Sequence, residues 1–266
     1  MNTLSFNTAN FVARQVDYQM TGGWGQGDRT TNEYFKPIET FGERFETYLN
    51  DVRDAGFSAI DLWTSILNPE WATDQHIQTA LRILDEQNLT VVSLAGWFGS
   101  TEEELERTCK LAAAFGQPVL GGSTSVLQKD RGAVVRLLKQ YNLKLGLENH
   151  PEKSSAVMME KIGDGGDGTI GACVDTGWFG TQDYSAPQAL EELKDYLFLV
   201  HLKDVLSAGE HNTCRFGEGI VDIEGCVRTL QRIGYTGAIS IEHEPEMYDP
   251  MPDIIAGREM VEGWLS

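Results

Sequence analysis

A regular interval between the ends of predicted strands is the feature that most restricts how this chain can fold. Five short apolar runs end at intervals of 26, 26, 27 and 26 residues, near Gly96, Gly122, Glu148, Asp175 and His201. One strand, one helix and two short loops need about that many residues, so the interval indicates repeated βα units. With three further apolar runs, the chain contains eight predicted strands. Eight βα units are the count of a (β/α)8 TIM barrel, an α/β fold that we expect residues 1–266 to form as a single domain.

The predicted elements follow from the spacing of apolar residues. Strands are predicted at 4–12, 58–63, 90–97, 118–122, 145–148, 170–175, 197–201 and 238–242. Helices are predicted at 41–55, 74–84, 101–115, 131–141, 223–233 and 252–264, with Asp74 as a candidate N-cap of the second and a capping box at Thr101. The surplus residues before the last strand lie in 205–221. The glycine-rich segment around Trp24 has no period, which indicates either a flexible connection or a lid whose indole covers a ligand.

Composition excludes several functional classes. The net charge is −19 and the sequence pI is about 4.6, so nucleic acids and anionic membrane surfaces would be repelled. No apolar run approaches the roughly 18 residues of a membrane helix, and no signal peptide is apparent at the start. The four cysteines form no CxxC pair and are too sparse for a disulfide framework. We therefore expect a soluble protein of the reducing cytoplasm.

Ionisable side chains close four of the predicted strands. In the run 145–150, Glu148 and His150 share the face opposite the leucines, because strand side chains alternate. Three later runs end in the same way on Asp175, His201 and Glu242. The carboxyl ends of barrel strands meet at one mouth, and small residues at alternate positions below these side chains would leave room at the axis. The four side chains are therefore expected to converge.

Such a cluster predicts a metal site. Two glutamates, an aspartate and a histidine would be costly to bury as bare charges, and a divalent cation removes the repulsion. Oxygen-rich ligation with one imidazole favours Mn²⁺, Mg²⁺ or Co²⁺ over a thiolate-rich zinc site. One such residue alone would be read as a solvated strand-end carboxylate, whereas four in the same register favour a single bound ion, which we expect to be Mn²⁺.

Five motifs carry a resemblance to a known family. They are LENH at 147–150, VDTG at 174–177, VHLKD at 200–204, RFGEG at 215–219 and IEHE at 241–244. In this order they resemble the xylose-isomerase-like barrels, the sugar phosphate isomerases and epimerases that include ketose 3-epimerases, hydroxypyruvate isomerase and inosose dehydratase. The resemblance covers most of the chain from the fifth strand onward and, more weakly, the first four strands.

The resemblance implies a function and roles for individual residues. Glu148, Asp175, His201 and Glu242 would hold one metal ion, and the two glutamates would flank a small carbohydrate as an acid/base pair. The activity implied is a metal-dependent sugar isomerase or epimerase that acts on a keto-sugar through an enediolate. Arg215 resembles a substrate-contacting arginine of the family, although a solvated loop arginine would look the same.

One position departs from the family pattern. Trp178 stands where many members have a histidine three residues after the aspartate, which puts a plain ketose 3-epimerase in doubt. The same residues could instead run β-elimination, as a lyase or dehydratase on a keto-sugar or 3-keto-glycoside. Trp178, Trp97 and Trp63 all lie at or just past strand ends, where indole faces could stack on a sugar ring. His150 is a further candidate for substrate contact, and Lys203 would either contact substrate or pair with a neighbouring acid.

Two other classes compete with an enolising enzyme. A catalytically silent sugar-binding barrel would bind metal and sugar without turnover. A phosphoesterase resembling endonuclease IV would need ligands for three metals and a basic face, and five histidines with a net charge of −19 speak against it. Because soluble enzymes are commonly symmetric homo-oligomers, we expect a dimer or tetramer.

Overall fold

Eight parallel strands close into a barrel in the computed structural model, which describes residues 2–116 and 118–266. Around the barrel the strand order is β1, β10, β7, β6, β5, β4, β3, β2. The strands are β1 (Leu4–Asn7), β2 (Ala59–Trp63), β3 (Thr90–Trp97), β4 (Val119–Ser123), β5 (Leu145–Glu148), β6 (Ile170–Asp175), β7 (Leu197–Leu202) and β10 (Ile239–Ile241). A short antiparallel pair, β8 (Asp204–Val205) and β9 (Thr213–Cys214), lies between the last two of them. The predicted (β/α)8 barrel is confirmed.

Helices surround the barrel. They are α1 (Trp24–Phe35), α2 (Ile38–Asp54), α3 (Asp74–Gln87), α4 (Glu102–Ala114), α5 (Val126–Lys129), α6 (Arg131–Tyr141), α7 (Ser155–Ile162), α8 (Thr176–Thr181), α9 (Ala186–Glu192), α10 (Ile223–Arg232) and α11 (Met251–Leu265). In α2 the predicted face of Phe41, Phe45, Leu49 and Val52 is fully buried. Within the described part of the chain, no helix combines the length and apolar character needed to cross a membrane.

The helix caps agree with the sequence in one case and correct it in another. Thr101 and Glu104 form the predicted capping box at the start of α4. The cap of α3 is Thr73, whose extended backbone lets its hydroxyl accept a hydrogen bond from the backbone N–H of His76. Asp74 is the first helical residue, so its prediction as the N-cap was wrong by one position.

The glycine-rich segment contains a helix rather than a flexible connection. Helix α1 begins at Trp24 although Gly25 and Gly27 are poor helix formers. Close packing requires one of them, because a Cβ on Gly27 would lie 2.3 Å from the carbonyl oxygen of Val12. Tertiary contacts therefore outweigh the weak local propensity, so the flexible connection was wrong here, whereas a lid over a ligand stays a prediction.

Small and polar side chains fill the barrel axis below its carboxyl mouth. The hydroxyls of Ser5, Ser93 and Ser240 are fully buried there. Leu199 is bulkier and occupies space left by Gly121, where a Cβ would approach the leucine to 2.5 Å. The barrel interior is therefore filled by packed side chains, and the space that can admit a ligand lies at the carboxyl ends of the strands.

A buried carboxylate anchors the loop between β7 and α10, residues 203–222, which is called the excursion below. Asp204 Oδ1 accepts backbone N–H hydrogen bonds from Val205 and Val221 at 2.9 and 3.0 Å. Its Oδ2 accepts from Gly217 and Gly219 at 3.0 and 3.1 Å. The extra residues predicted at 205–221 thus form a loop whose two ends are tied to one side chain.

Candidate metal and acid–base site

Four strand-end side chains converge at the barrel mouth as predicted. Glu148 ends β5, Asp175 ends β6, His201 lies in β7 and Glu242 directly follows β10. One ligand-capable atom from each lies within 4.8 Å of the others. Asp175, His201 and Glu242 are buried, whereas the Glu148 side chain is 20% exposed. One carboxylate of the cluster can therefore be reached from the mouth.

The His201 imidazole lies between carboxylates on both edges. Its Nδ1 is 2.9 Å from Glu148 Oε1 and 2.9 Å from Glu242 Oε2. Its Nε2 is 2.8 Å from Asp61 Oδ2, which is hydrogen-bond distance without hydrogen-bond alignment. Burial alone would lower the pKa of His201, but Cys173, Glu242 and Asp61 raise it well above its ordinary value.

A buried lysine neutralises the neighbouring carboxylates. Lys203 Nζ lies 3.0 Å from Asp175 Oδ2, 2.5 Å from Glu242 Oε1 and 3.2 Å from Glu244 Oε2. The residue is 1% exposed. Burial would lower its pKa, yet these acids raise it well above the ordinary value, so the ammonium is charged at neutral pH. Of the two roles predicted for Lys203, the structure shows the ion pair.

Hydrogen bonds between neighbouring strand ends fix the ligand side chains. The Asn149 amide donates to the backbone carbonyl of Asp175 at 2.9 Å and accepts from its N–H at 2.8 Å. The N–H of Trp178 donates to Asp175 Oδ1 at 2.9 Å. The Thr176 hydroxyl bonds both the N–H and the carbonyl of Lys203, each at 2.8 Å. Groups held in this way form the rigid support that a metal or catalytic site needs.

These residues fit a divalent cation. Asp175 Oδ2 and Glu242 Oε2 are buried without a hydrogen-bond partner, although charged groups lie nearby. Burial raises the pKa of Asp175 to about 6, against the opposing effect of Lys203. Burial would also raise the pKa of Glu242, but Lys203 and His201 hold it well below its usual range. Three carboxylates and one imidazole are a donor set for a hard divalent ion.

Aromatic rings form one rim of the site. Trp178 lies 4.0 Å from the His150 ring and 4.4 Å from the His211 ring, between centroids, and stacks on His211 at 13°. His211 Nε2 is 3.3 Å from Lys203 Nζ. Burial, and then the Lys203 ammonium, lower the pKa of His211 to about 3, so this imidazole is neutral. The predicted contacts Trp178 and His150 thus meet above the charged cluster.

Comparison with known proteins identifies the family. The sequence profile of the xylose isomerase-like TIM barrel matches residues 49–263. The chain belongs to this family. The resemblance to this family seen in the sequence motifs is therefore confirmed.

Proteins similar to this chain differ in the reaction that their names describe. The L-ribulose-5-phosphate 3-epimerase UlaE of Shigella boydii is 33% identical over 93 residues, 35% of this chain and 32% of that enzyme, so the match spans about a third of the relative. The 3-keto-D-glucoside 4-epimerase YcjR of E. coli superposes with a TM-score of 0.64 at 16% identity, covering 82% of this chain and 94% of that one. The probable 3-DHS dehydratase AsbF of Bacillus anthracis gives 0.68 at 15% identity, covering 98% and 99%. These two structures show the fold and do not choose between epimerisation and dehydration.

The other predicted substrate contacts, Trp63, Trp97 and Arg215, lie elsewhere at the carboxyl ends of the strands. Trp63 and Trp97, at the ends of β2 and β3, line a cavity with Trp24. Arg215 lies in the excursion, half-exposed, with Nη1 4.0 Å from Asp253 Oδ1. The structure therefore does not bring Arg215 into the cluster of four ligands, and its role as a substrate contact stays a prediction.

Three residues of the site were missed in the sequence. Asp61 is fully buried in β2 and faces His201; an aspartate inside the apolar run AIDLW was a signal that could have revealed it. Glu244 follows Glu242 on the same face, and burial raises its pKa to about 8 against the effect of Lys203. His211 lies in the irregular excursion, where no periodicity marks it.

Proposed function

We propose that this chain is a divalent-metal-dependent isomerase or epimerase that acts on a keto-sugar through an enediolate. The observation that carries the proposal is the convergence of two glutamates, an aspartate and a histidine within 4.8 Å at a barrel mouth. Glu148 and Glu242 both lie 2.9 Å from the same imidazole nitrogen, so two carboxylates are available around one small volume. We take them as the acid/base pair.

The environments of the two glutamates differ in a way that suits this chemistry. Glu242 stays ionised because Lys203 and His201 hold its pKa low, so it can accept a proton from the carbon next to the substrate carbonyl. Glu148 is partly exposed and can exchange its proton with water before returning one to carbon. A Mn²⁺, Mg²⁺ or Co²⁺ ion held by the four ligands would supply Lewis-acid polarisation of the carbonyl. General acid/base catalysis contributes about 10²–10⁴ in rate.

The aromatic rim supports a sugar substrate. Trp178 lies at the mouth with His211 stacked on it, and the neutral His150 and His211 rings can exchange hydrogen bonds with sugar hydroxyls. The substitution of Trp178 for the family histidine favours a second candidate, β-elimination on a keto-sugar or 3-keto-glycoside, which begins with the same proton abstraction.

Deuterium exchange tests the proposal. Mn²⁺-loaded protein is incubated in D₂O with free ketoses, ketose phosphates and 3-keto-glucosides and followed by NMR. We expect deuterium next to the carbonyl, and at least a hundredfold slower exchange in Glu148→Gln and Glu242→Gln. Glu160→Gln on the exposed face of α7 is the matched control and should exchange at the wild-type rate.

The products distinguish the competing functions. An inverted or isomerised sugar supports the proposal, and an unsaturated product identifies a lyase. Absence of exchange with every substrate despite bound metal contradicts enolisation and favours a silent sugar-binding barrel.

Compartment and assembly also belong to the proposal. All four cysteines are free thiols, which supports a reducing cytoplasmic setting. A homodimer or homotetramer remains a prediction.

A further inference from the structure

A cavity whose described lining contains none of the four clustered residues opens at the barrel mouth. It has a volume of about 430 Å³, within the range of small-molecule pockets, and lies at the carboxyl ends of β2 and β3 under helix α1. Its described lining includes three tryptophans, Trp24, Trp63 and Trp97, and a set of polar side chains. The metal and acid/base roles proposed above use none of these groups.

The cavity adjoins the site of the proposed reaction. Asp61 on β2 reaches across the barrel to within 2.8 Å of His201. Trp63 lies two residues further along the same strand and on the same face, about 6.6 Å higher at the usual strand rise. A ligand in the cavity would therefore sit one layer above the contact with His201, within reach of a molecule held at the cluster.

Indole rings give the cavity aromatic surfaces that no protein group covers completely. Trp97 is 53% exposed and Trp24 is 39% exposed, while Trp63 is buried behind them. The rings of Trp24 and Trp63 meet edge-on, with centroids 5.2 Å apart at 61°. Large exposed aromatics grouped in a concave site are typical of binding surfaces, and the C–H faces of a pyranose stack well on indole.

Helix α1 is fixed over this cavity by polar contacts. The Ser65 hydroxyl donates to the Asp28 carboxylate. The Trp71 indole N–H donates to Asn32 Oδ1 at 2.8 Å. Both contacts join α1 to the loop after β2, so the helix that carries Trp24 is held in place before any ligand arrives, which lowers the entropic cost of binding.

The charges around the cavity select against anions. Its described lining carries three carboxylates, Asp28, Glu70 and Glu104, and one guanidinium, Arg107. Backbone N–H groups of residues 100 and 101 bond Glu104 Oε2 at 2.6 and 3.1 Å and lower its pKa, so it remains charged. Arg107 is already paired with Glu103 at 3.0 Å. A phosphate here would meet net negative charge, whereas hydroxyl groups could bond the carboxylates and amides.

We propose that this cavity binds a second, uncharged sugar ring, so that the substrate is a glycoside rather than a sugar phosphate. The inference rests on the proposed function for the reacting ring, and the ring in the cavity takes no part in the chemistry. Stacking on Trp97 supplies affinity, and the carboxylates and amides recognise hydroxyls.

Binding of non-reacting sugars tests the inference independently of turnover. Full-length Mn²⁺-loaded protein is titrated calorimetrically with methyl α-glucopyranoside, maltose, trehalose and glucose 6-phosphate. We expect at least one disaccharide to bind tenfold or more tightly than the methyl glycoside, and the phosphate to bind most weakly. Trp97→Ala should raise the disaccharide Kd about tenfold, and Trp97→Tyr should restore most of the affinity. Trp264→Phe on α11 is the matched control and should change nothing.

The results separate this inference from the proposed function. Disaccharides that bind no more tightly than the single ring, binding unchanged in Trp97→Ala, or preference for the phosphate would each overturn the glycoside subsite. None of these titrations requires proton exchange at carbon. A protein that binds disaccharides through Trp97 yet exchanges no deuterium would keep the subsite and lose the enolisation mechanism, and the converse result would do the opposite.

Discussion

Removal of the Lys203 ammonium should destabilise the metal-free protein strongly. Lys203→Met keeps most of the aliphatic stem, which packs so closely on Gly177 that a Cβ there would lie 2.6 Å from Lys203 Cγ. The substitution therefore removes charge with little change in packing. It leaves Asp175, Glu242 and Glu244 buried without their common cation. Breaking a buried ion pair from one side costs about 3–5 kcal/mol.

The size of the effect can be read from thermal unfolding. For a chain of this length each kcal/mol corresponds to about 2–4 °C, so the Tm of the metal-free variant should fall by about 6–20 °C. Saturating Mn²⁺ at a hundred times its Kd would stabilise the folded protein by about 2.7 kcal/mol. Because a bound cation replaces the missing positive charge, the difference in Tm between Lys203→Met and wild type should become smaller in the presence of Mn²⁺.

A surface lysine supplies the control for this experiment. Lys139 pairs with Asp167 at 2.5 Å, but the two side chains are 50% and 77% exposed. Lys139→Met should change the Tm little, since exposed pairs contribute little to stability. Equal Tm values for Lys203→Met and wild type without metal would refute the argument that the buried carboxylates depend on this ammonium. A Tm difference that Mn²⁺ leaves unchanged would refute the placement of the cation among these carboxylates.

Three further predictions concern other groups. Asp61→Asn should weaken Mn²⁺ binding about 10–100-fold in calorimetric titration, because the Asp61 carboxylate beside His201 Nε2 orients that imidazole toward the cation. An unchanged Mn²⁺ affinity would show that Asp61 does not have this role. Glu104→Gln should lower the Tm at pH 7. Because backbone N–H groups lower the pKa of Glu104, the Tm difference between variant and wild type should disappear as the pH falls from about 4.5 through that lowered pKa. A Tm difference that persists in acid would show that the charge of Glu104 is not its cause. Native protein at pH 8 should react only slowly with a thiol reagent such as DTNB, because burial raises the pKa of Cys109, Cys173 and Cys214 to about 12, leaving about 10⁻⁴ of each ionised, and raises that of Cys226 well above its ordinary value. All four thiols should react after unfolding. A rapid reaction of the native protein would show that at least one of them is accessible.

The sequence predicts the convergence of the four strand-end side chains well because its information is local. A strand that ends on Glu148 or Asp175 shows both its apolar run and its polar end within a few residues, and a parallel barrel brings all such ends to one mouth. The regular interval between the ends then decides the topology. Nothing more than periodicity and this geometric rule is needed to place the four ligands together.

Other parts depend on contacts that periodicity does not encode. Helix α1 contains glycines that argue against a helix, and only its packing on Val12 shows why Gly27 is there. Asp61 is one polar residue in a strand, and its importance depends on what lies across the barrel from it. His211 reaches the site from the loop between β8 and β9, where no regular spacing of apolar residues marks it. In each case the partner that gives the residue its role is distant in sequence.

The anchoring of the excursion by Asp204 has a consequence for protein engineering. Four backbone N–H groups from both ends of the loop meet on this one carboxylate, which fixes the base of the loop independently of its tip. The tip, residues 206–212, joins β8 to β9 and carries His211 to the aromatic rim, whereas Cys214 and Phe216 beyond it are buried. We therefore expect loops of different length and composition to be tolerated between positions 206 and 212, which makes this segment the natural place to randomise when a library of altered specificities is built.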